Sequence, residues 1–394
     1  MSGLTPNAQN RMDKRILIDA TNVNITVPGG GSFATQGYIE ALLALFPDQV
    51  DVLHPAEAHI RDARYHTIDV PGRSKAQQYV GLLKGQFHRA GQFIIDYLSE
   101  HPNTYEYVFI NTGLFAGSII PKVQPMHIKT IVLHHNYEPE FRMDSYSSLT
   151  FGGRTAALVR YWERKGYKKA DINLFLTQQD KERFEKEYGV RQKNYITGVF
   201  EPTRSILPLI TKVPTNSAVI TCALGDKQNQ DSLLCFAEKY LPIFEQTLPG
   251  WHVELMGRNP SKAILLMADQ HSSIALTPNP EDIRSLAAQS KIYLCPMDAG
   301  GGLKLRIMDG LRAGQPVLAH VRAARGYEPF AGQAFFQTYS DEQSFLQGLQ
   351  TICQYIQSAE YTRTSVQSQY YGVFGLESGI KRLESILRDE NISH

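Results

Sequence analysis

The segment PMDAGGGLKLRIMDGLRAGQPVLAH, residues 296–320, concentrates chemistry of one kind. Gly300, Gly301 and Gly302 strip the backbone of side chains where a ligand would approach. The spacing predicts a helix from near Gly302, whose unpaired N–H groups and positive dipole end suit phosphate. Leu303 continues that backbone path, and Lys304 and Arg306 can neutralise a diphosphate. Asp309, three residues past Arg306, shares its side of the helix and can accept hydrogen bonds from a ribose. A glycine-rich turn before an amphipathic helix with solvated charges gives the same pattern, so this segment alone does not decide.

Three further places carry candidate residues. VPGGGSFATQGYIEALL (27–43) holds Gly30 and Gly31, and Gly29, Gly31 and Ala34 formally satisfy the dinucleotide fingerprint. Eight residues, Thr21 to Pro28, separate these glycines from the strand RILIDA, and Asp51 falls near the start of the next strand rather than its end. Both departures exclude the nicotinamide reading. TIVLHHNYEPEF (130–141) places His134 and His135 at the end of a strand, with Glu138 and Glu140 beyond, in no metal-binding spacing. In ALGDKQNQDSLLCF (223–236), Lys227 is the obvious cation.

The elements that must position these residues alternate between strands and helices. In the first half, strands are predicted at 15–20, 49–55, 105–113, 127–136 and 171–177, and helices at 31–46, 74–101, 154–170 and 178–189. Residues 197–216, with three prolines, break the pattern. The alternation restarts with strands at 217–224, 251–257, 291–296 and 316–321, a proline-kinked helix at 230–247 and terminal helices. Such alternation predicts doubly wound parallel sheets covered by helices on both faces. The domains are expected at 14–200 and 217–375, joined by a linker at 201–216.

Composition fits this picture. The 394 residues exceed one ordinary core, and 42% hydrophobic with 20% charged residues is usual for a globular protein. A formal net charge of +1 supplies no global attraction to nucleic acid. Cys222, Cys235, Cys295 and Cys353 lie far apart, so reduced thiols and no structural zinc are expected. The polar start MSGLTPNAQNRMDKR lacks a signal-peptide core and no apolar run spans a membrane, so a cytoplasmic protein is expected. The basic run RTAALVRYWERKGYKKA (154–170) reads as a solvated helix face or as a peripheral contact at the inner membrane surface.

In their order, these motifs resemble the retaining glycosyltransferases of family 4. The resemblance rests on Pro296, Gly300 to Gly302, Arg306, Asp309, Gly314 and Pro316, followed by RAARGYEP (322–329). It extends to ALGDKQNQDSLLCF, WHVELMGRNP (251–260) and NPEDIRSLAAQSKIYLCP (279–296), and more loosely to YWERKGYKKADINLFLTQQDKERFEKEYG (161–189). It implies a GT-B fold: two Rossmann-like domains with doubly wound parallel sheets facing a central cleft, the terminal helix 376–389 rejoining the first. It also implies retaining, metal-independent transfer of a sugar from a UDP- or GDP-sugar to a glycan or lipid-linked acceptor, as in bacterial polysaccharide assembly, with no cofactor. By the same resemblance the phosphates meet Lys227, Gly300, Gly301, Gly302, Leu303, Lys304 and Arg306, and the ribose meets Asp309. Gly30 and Gly31 face the donor phosphates or the acceptor, and one of His134 and His135 contacts the donor sugar.

Two departures qualify the likeness. Where many members carry glutamates eight residues apart, this chain has Gly301 and Asp309, which matches a glycine-bearing branch. The same departures define the alternative, a GT-B-like binding or scaffold subunit that does not catalyse transfer.

Overall fold

The computed structural model describes residues 14–22, 25–26, 30–74, 76–77, 80–81, 89–139, 156–203, 215–299 and 303–392. The chain divides into two compact units, 1–203 with 376–394 and 204–375.

The first unit runs β1 (Arg15–Asp19), α1 (Gly30–Leu45), β2 (Val50–Pro55), β3 (His66–Val70), α2 (Ala90–Glu100), β4 (Tyr105–Ile110), α3 (Gly113–Val123), β5 (Lys129–His134), α4 (Ala156–Lys169), β6 (Ile172–Phe175), α5 (Gln178–Tyr188) and β7 (Asn194–Ile196). The second runs β8 (Thr215–Ala223), α6 (Lys227–Cys235), α7 (Leu241–Thr247), β9 (His252–Arg258), α8 (Lys262–Gln270), β10 (Ile274–Pro278), α9 (Ile283–Ala287), β11 (Ser290–Cys295), α10 (Leu305–Arg312), β12 (Val317–His320), β13 (Phe336–Tyr339), α11 (Glu342–Gln357) and α12 (Arg363–Phe374). The last helix, α13 (Leu376–Ile392), belongs to the first unit and packs on α1.

Both sheets are parallel. Among the described residues the first has seven strands in the order β3-β2-β1-β4-β5-β6-β7, and the second has six in the order β10-β9-β8-β11-β12-β13. In each the chain starts in the middle, works outward to one edge, then returns to the other side. That is the doubly wound order, and it creates a switch point between β1 and β4 and another between β8 and β11. Central strands such as β2 and β6 are buried along their whole length, as helices on both faces require. Leu17, Val108, Ile110 and Val132 form the middle of one core with Ile94, Ile119 and Ile120 from the covering helices.

Several elements differ from the sequence reading, each for a local reason. β4 ends at Ile110, and the glycine expected to close it instead opens α3, where the Thr112 side chain accepts from the Leu114 amide. Pro121 sits in the last turn of α3. Of the helix expected over 74–101, Ala90–Glu100 is α2, and 75, 78–79 and 82–88 lie outside the described residues. The helix near Pro242 is divided by a π-turn at Phe236–Tyr240, after which Pro242 stands in the first turn of α7. The short strands β3, β7, β10 and β13 escaped the sequence reading because three to five residues carry little periodicity. Of the expected linker, 204–214 lies outside the described residues and β8 already starts at Thr215.

Asp51 shows physically why the dinucleotide fingerprint fails. It is the second residue of β2, and Arg15 grips it through Nε at 2.7 Å and Nη2 at 2.5 Å, while Tyr105 donates to it at 2.6 Å. The carboxylate is buried in that ion pair near the amino end of the strand, away from where ligands meet such sheets.

Candidate nucleotide-sugar site

The segment 296–299, which leads into the glycines, sits at the switch point of the second sheet. It leaves the carboxyl end of β11, and the loop into α6 leaves the neighbouring β8 beside it. Gly300, Gly301 and Gly302 lie outside the described residues, and both flanks are anchored. Before the loop, Asp298 accepts from the Ser232 hydroxyl on α6 at 2.6 Å, and its carbonyl accepts from Arg322 Nη1 at 3.1 Å. After it, the buried Tyr327 donates its hydroxyl to the Lys304 carbonyl at 2.8 Å. The helix α10 begins at Leu305, three residues later than expected, with Lys304 as its N-cap residue and no side chain capping its first amides.

α10 lies tight on β11 because residue 310 is glycine. A Cβ there would stand 2.5 Å from Cγ of Tyr293, a fully buried ring whose hydroxyl meets Thr221 at 2.6 Å. Gly310→Ala is therefore expected to destabilise the second unit by about 1–3 kcal/mol through overpacking. Denaturant melting followed at Trp251 checks this, and an unchanged midpoint contradicts it.

Lys304, Arg306 and Arg325 are half-buried neighbours of one sign. Burial pushes the Lys304 pKa below the usual lysine value, and the charges of Arg306 and Arg325 push it the same way. Among the described residues none of the three forms an ion pair with a carboxylate; Arg306 makes a long hydrogen bond, 3.4 Å, to Asn229 Oδ1 and another to the Cys222 thiol. Clustered cations at a helix N-terminus, with the charge of Asp226 favouring protonated Lys304, form a place prepared for an anion.

The switch point of the first sheet holds the buried carboxylate of Asp19, which ends β1 and accepts from the Thr21 amide at 2.9 Å and the Thr21 hydroxyl at 2.6 Å. Asn111 follows β4, and its Oδ1 faces His135 Nε2 at 2.9 Å. Its Nδ2 donates to Thr35 Oγ1 on α1 at 2.7 Å, and its carbonyl accepts from Asn22 Nδ2 at 3.0 Å. Burial lowers the His135 pKa to about 4, against a hydrogen bond with Asn111 that acts to raise it, so the ring is neutral at pH 7.

No protein-family model matches the chain, and no curated protein matches its sequence. Solved structures do. The chain is similar to Anabaena HepE in complex with UDP, with a TM-score of 0.63 at 13% identity over 95% of this chain and 100% of that one. It is similar to the sucrose-phosphate synthase of Thermosynechococcus elongatus, with a TM-score of 0.66 at 12% identity over 97% and 100%. The lipopolysaccharide outer core galactosyltransferase WaaB, in its apo form, gives 0.66 at 10% identity over 96% and 99%. The fold is GT-B.

Within this GT-B fold the candidate residues fall in different places. Lys304 and Arg306 come together. Lys227 opens α6 on the surface, 83% exposed and paired with Asp231 at 3.2 Å. Asp309 pairs with the buried Arg312 at 2.7 Å and with Arg284 at 3.4 Å. Gly30 and Gly31 form the first turn of α1, Gly30 exposed and Gly31 half-buried. His134 points into the core, 1% exposed, stacked on Phe175 at 4.9 Å and donating from Nε2 to Asn173 Oδ1 at 2.9 Å. Gly113 makes room for it, since a Cβ there would stand 2.4 Å from His134 Nδ1. Of Glu138 and Glu140, the former offers its amide to the buried Glu163 at 3.1 Å and the latter lies outside the described residues.

Sequence reasoning missed Arg325, Asn229, Ser232 and Asn111. RAARGYEP contained Arg325, but only its place after β12 brings it to Lys304. Asn111 carried a usable signal, a polar residue closing an apolar strand. Among the described residues no cluster of metal-binding side chains occurs, and no helix is long and apolar enough to cross a membrane.

Proposed function

We propose that the protein is a glycosyltransferase that takes a glycosyl group from a nucleotide-sugar and passes it to a glycan or lipid-linked acceptor, with retention and without a metal. The observation that carries this is the cation group Lys304, Arg306 and Arg325 at the β8/β11 switch point of a GT-B fold. When the glycosidic bond breaks, negative charge develops on the diphosphate. Cations already fixed there, with no carboxylate partner to leave first, stabilise that charge without reorganisation. The α10 amides add to them, and the anchors at Asp298 and Tyr327 hold both flanks of the loop in place.

UDP is the favoured nucleotide, because HepE, with the same fold, is described in complex with UDP. The first unit supplies the acceptor surface, and the enzyme works in the cytoplasm or at the inner membrane face. Thermal shift against a panel of UDP- and GDP-sugars tests the donor, since a ligand at 100 times its Kd stabilises by about 2.7 kcal/mol. Transfer or hydrolysis of the donor that binds separates the enzyme from a binding subunit. Asp309 favours the latter to the extent that its pairs with Arg312 and Arg284 persist when nucleotide is bound.

A further inference from the structure

We infer that the outer face of α8 binds a second copy of this chain about a two-fold axis, the two helices packing antiparallel. This association does not depend on the glycosyltransferase reading and concerns the second unit alone. α8 is KAILLMADQ, Lys262–Gln270, with Ile264 and Met267 buried beneath it. Leu265 and Leu266 face the other way, 47% and 52% exposed, and Lys262 and Asp269 are exposed beside them. At about 100° per residue these four side chains fall within an arc of roughly 100°. Among the described residues no other two large exposed hydrophobics are adjacent in the chain.

The order of the residues selects the occupant. Lys262 with Asp269 and Leu265 with Leu266 share one midpoint, and so do the inner pair Ile264 and Met267. A two-fold axis through that midpoint brings Lys262 against the second copy's Asp269 at both ends and gathers four leucines between them. The two charges also stand at the wrong ends for the helix itself. A helix N-terminus favours anions and a C-terminus cations, yet Lys262 opens α8 and Asp269 lies in its last turn. The N-cap is the neutral Ser261, whose Oγ accepts from the Ile264 amide at 3.3 Å. Among the described residues neither charge takes part in an ion pair. An antiparallel mate reverses both penalties, since each charge meets its opposite and each dipole end meets the other kind of end. A helix of nine residues is about 13 Å long, so the contact falls below the roughly 800 Å² per partner of a standard interface. Self-association is therefore weak and depends on concentration.

Sedimentation velocity of the full chain over a concentration series tests this. The wild type is expected to pass from monomer to dimer as its concentration rises. Lys262→Asp and Asp269→Lys should each weaken the dimer by about tenfold, because like charges then meet at both ends. An equimolar mixture of these two variants should form a heterodimer, since one presents two acids where the other presents two bases. The double variant Lys262→Asp/Asp269→Lys should recover the homodimer. Replacing both leucines, Leu265→Ser with Leu266→Ser, should leave monomer alone. All four side chains are exposed, so every variant should stay folded, and the charge variants decide the matter if the leucine variant does not. A wild type that remains monomeric at every concentration overturns the two-fold contact. So does a dimer indifferent to the leucine and single-charge variants, which would be built on another surface. Losses in the single variants that neither the mixture nor the double variant restores would overturn the antiparallel pairing.

Discussion

Arg306→Ala is expected to weaken nucleotide-sugar binding by about 10- to 100-fold while leaving the protein folded. The magnitude follows from one charge-assisted contact to phosphate, net about 1.5–3 kcal/mol, at 1.4 kcal/mol per factor of ten. The fold survives because Arg306 is tied to the protein by a 3.4 Å hydrogen bond to Asn229 and a contact with the Cys222 thiol, and by no ion pair among the described residues. Its removal also relieves Lys304, whose protonated form Arg306 and Arg325 oppose, so the ligand-free variant should melt no lower than the wild type. Lys304→Ala should cost less, because burial and the charges of Arg306 and Arg325 already oppose its protonated form. The double variant should fall short of the sum, since residues sharing one anion couple. Calorimetric titration with the best donor of the panel measures all three. Unchanged affinity in a folded Arg306→Ala protein would mean that the phosphates lie elsewhere.

The fold was largely legible because its signals are local. Apolar runs such as Arg15–Asp19 and Ser290–Cys295 and the helical period of Gln178–Tyr188 can be read off the chain directly. The site was legible only as far as it too is local. Lys304 and Arg306 are two residues apart, whereas Arg325 reaches them through the β12 crossover, which no spacing reveals. Asp309 shows both limits: Arg312 at i+3 was foreseeable on a helix, but Arg284 arrives from another element. For His134 and His135 the sequence could say that one faces the core and the other the opposite side, because successive strand residues alternate. Which one is buried depends on the aromatic group of Tyr137, Tyr167, Phe175, Phe184 and Tyr188, assembled from separate elements.

That same buried histidine makes the first unit the acid-sensitive part of the molecule. Burial lowers His54, His134 and His135 each to about 4, and all three belong to the first unit. In the unfolded chain a histidine titrates near 6.5, so below that pH the unfolded state binds more protons and stability falls. The contribution is whole above about 6.5 and gone near 4. A shift of that size is worth about 3 kcal/mol for the fully buried His54 and His134, and less for the half-buried His135. Glu163 works in the opposite sense. Its burial, with the charge of Glu138, raises its pKa well above the ordinary carboxyl value, so the folded state takes up that proton first and is relieved as pH falls. Two fully buried histidines against one carboxyl leave a net loss as the pH falls. In the second unit the corresponding group is His320, half-buried and lowered chiefly by burial.

The two tryptophans separate the units, since Trp162 stands in the first and Trp251 in the second. Urea melting of Trp251→Phe, which leaves Trp162 as reporter, should show a stability loss of about 2 kcal/mol between pH 7 and pH 5. Melting of Trp162→Phe, reported by Trp251, should change much less. His134→Phe, which suits the aromatic surroundings, should flatten the pH dependence of the first unit by close to one proton even where it lowers stability outright. Parallel pH dependence at both reporters would show that the buried histidines are not what the acid attacks.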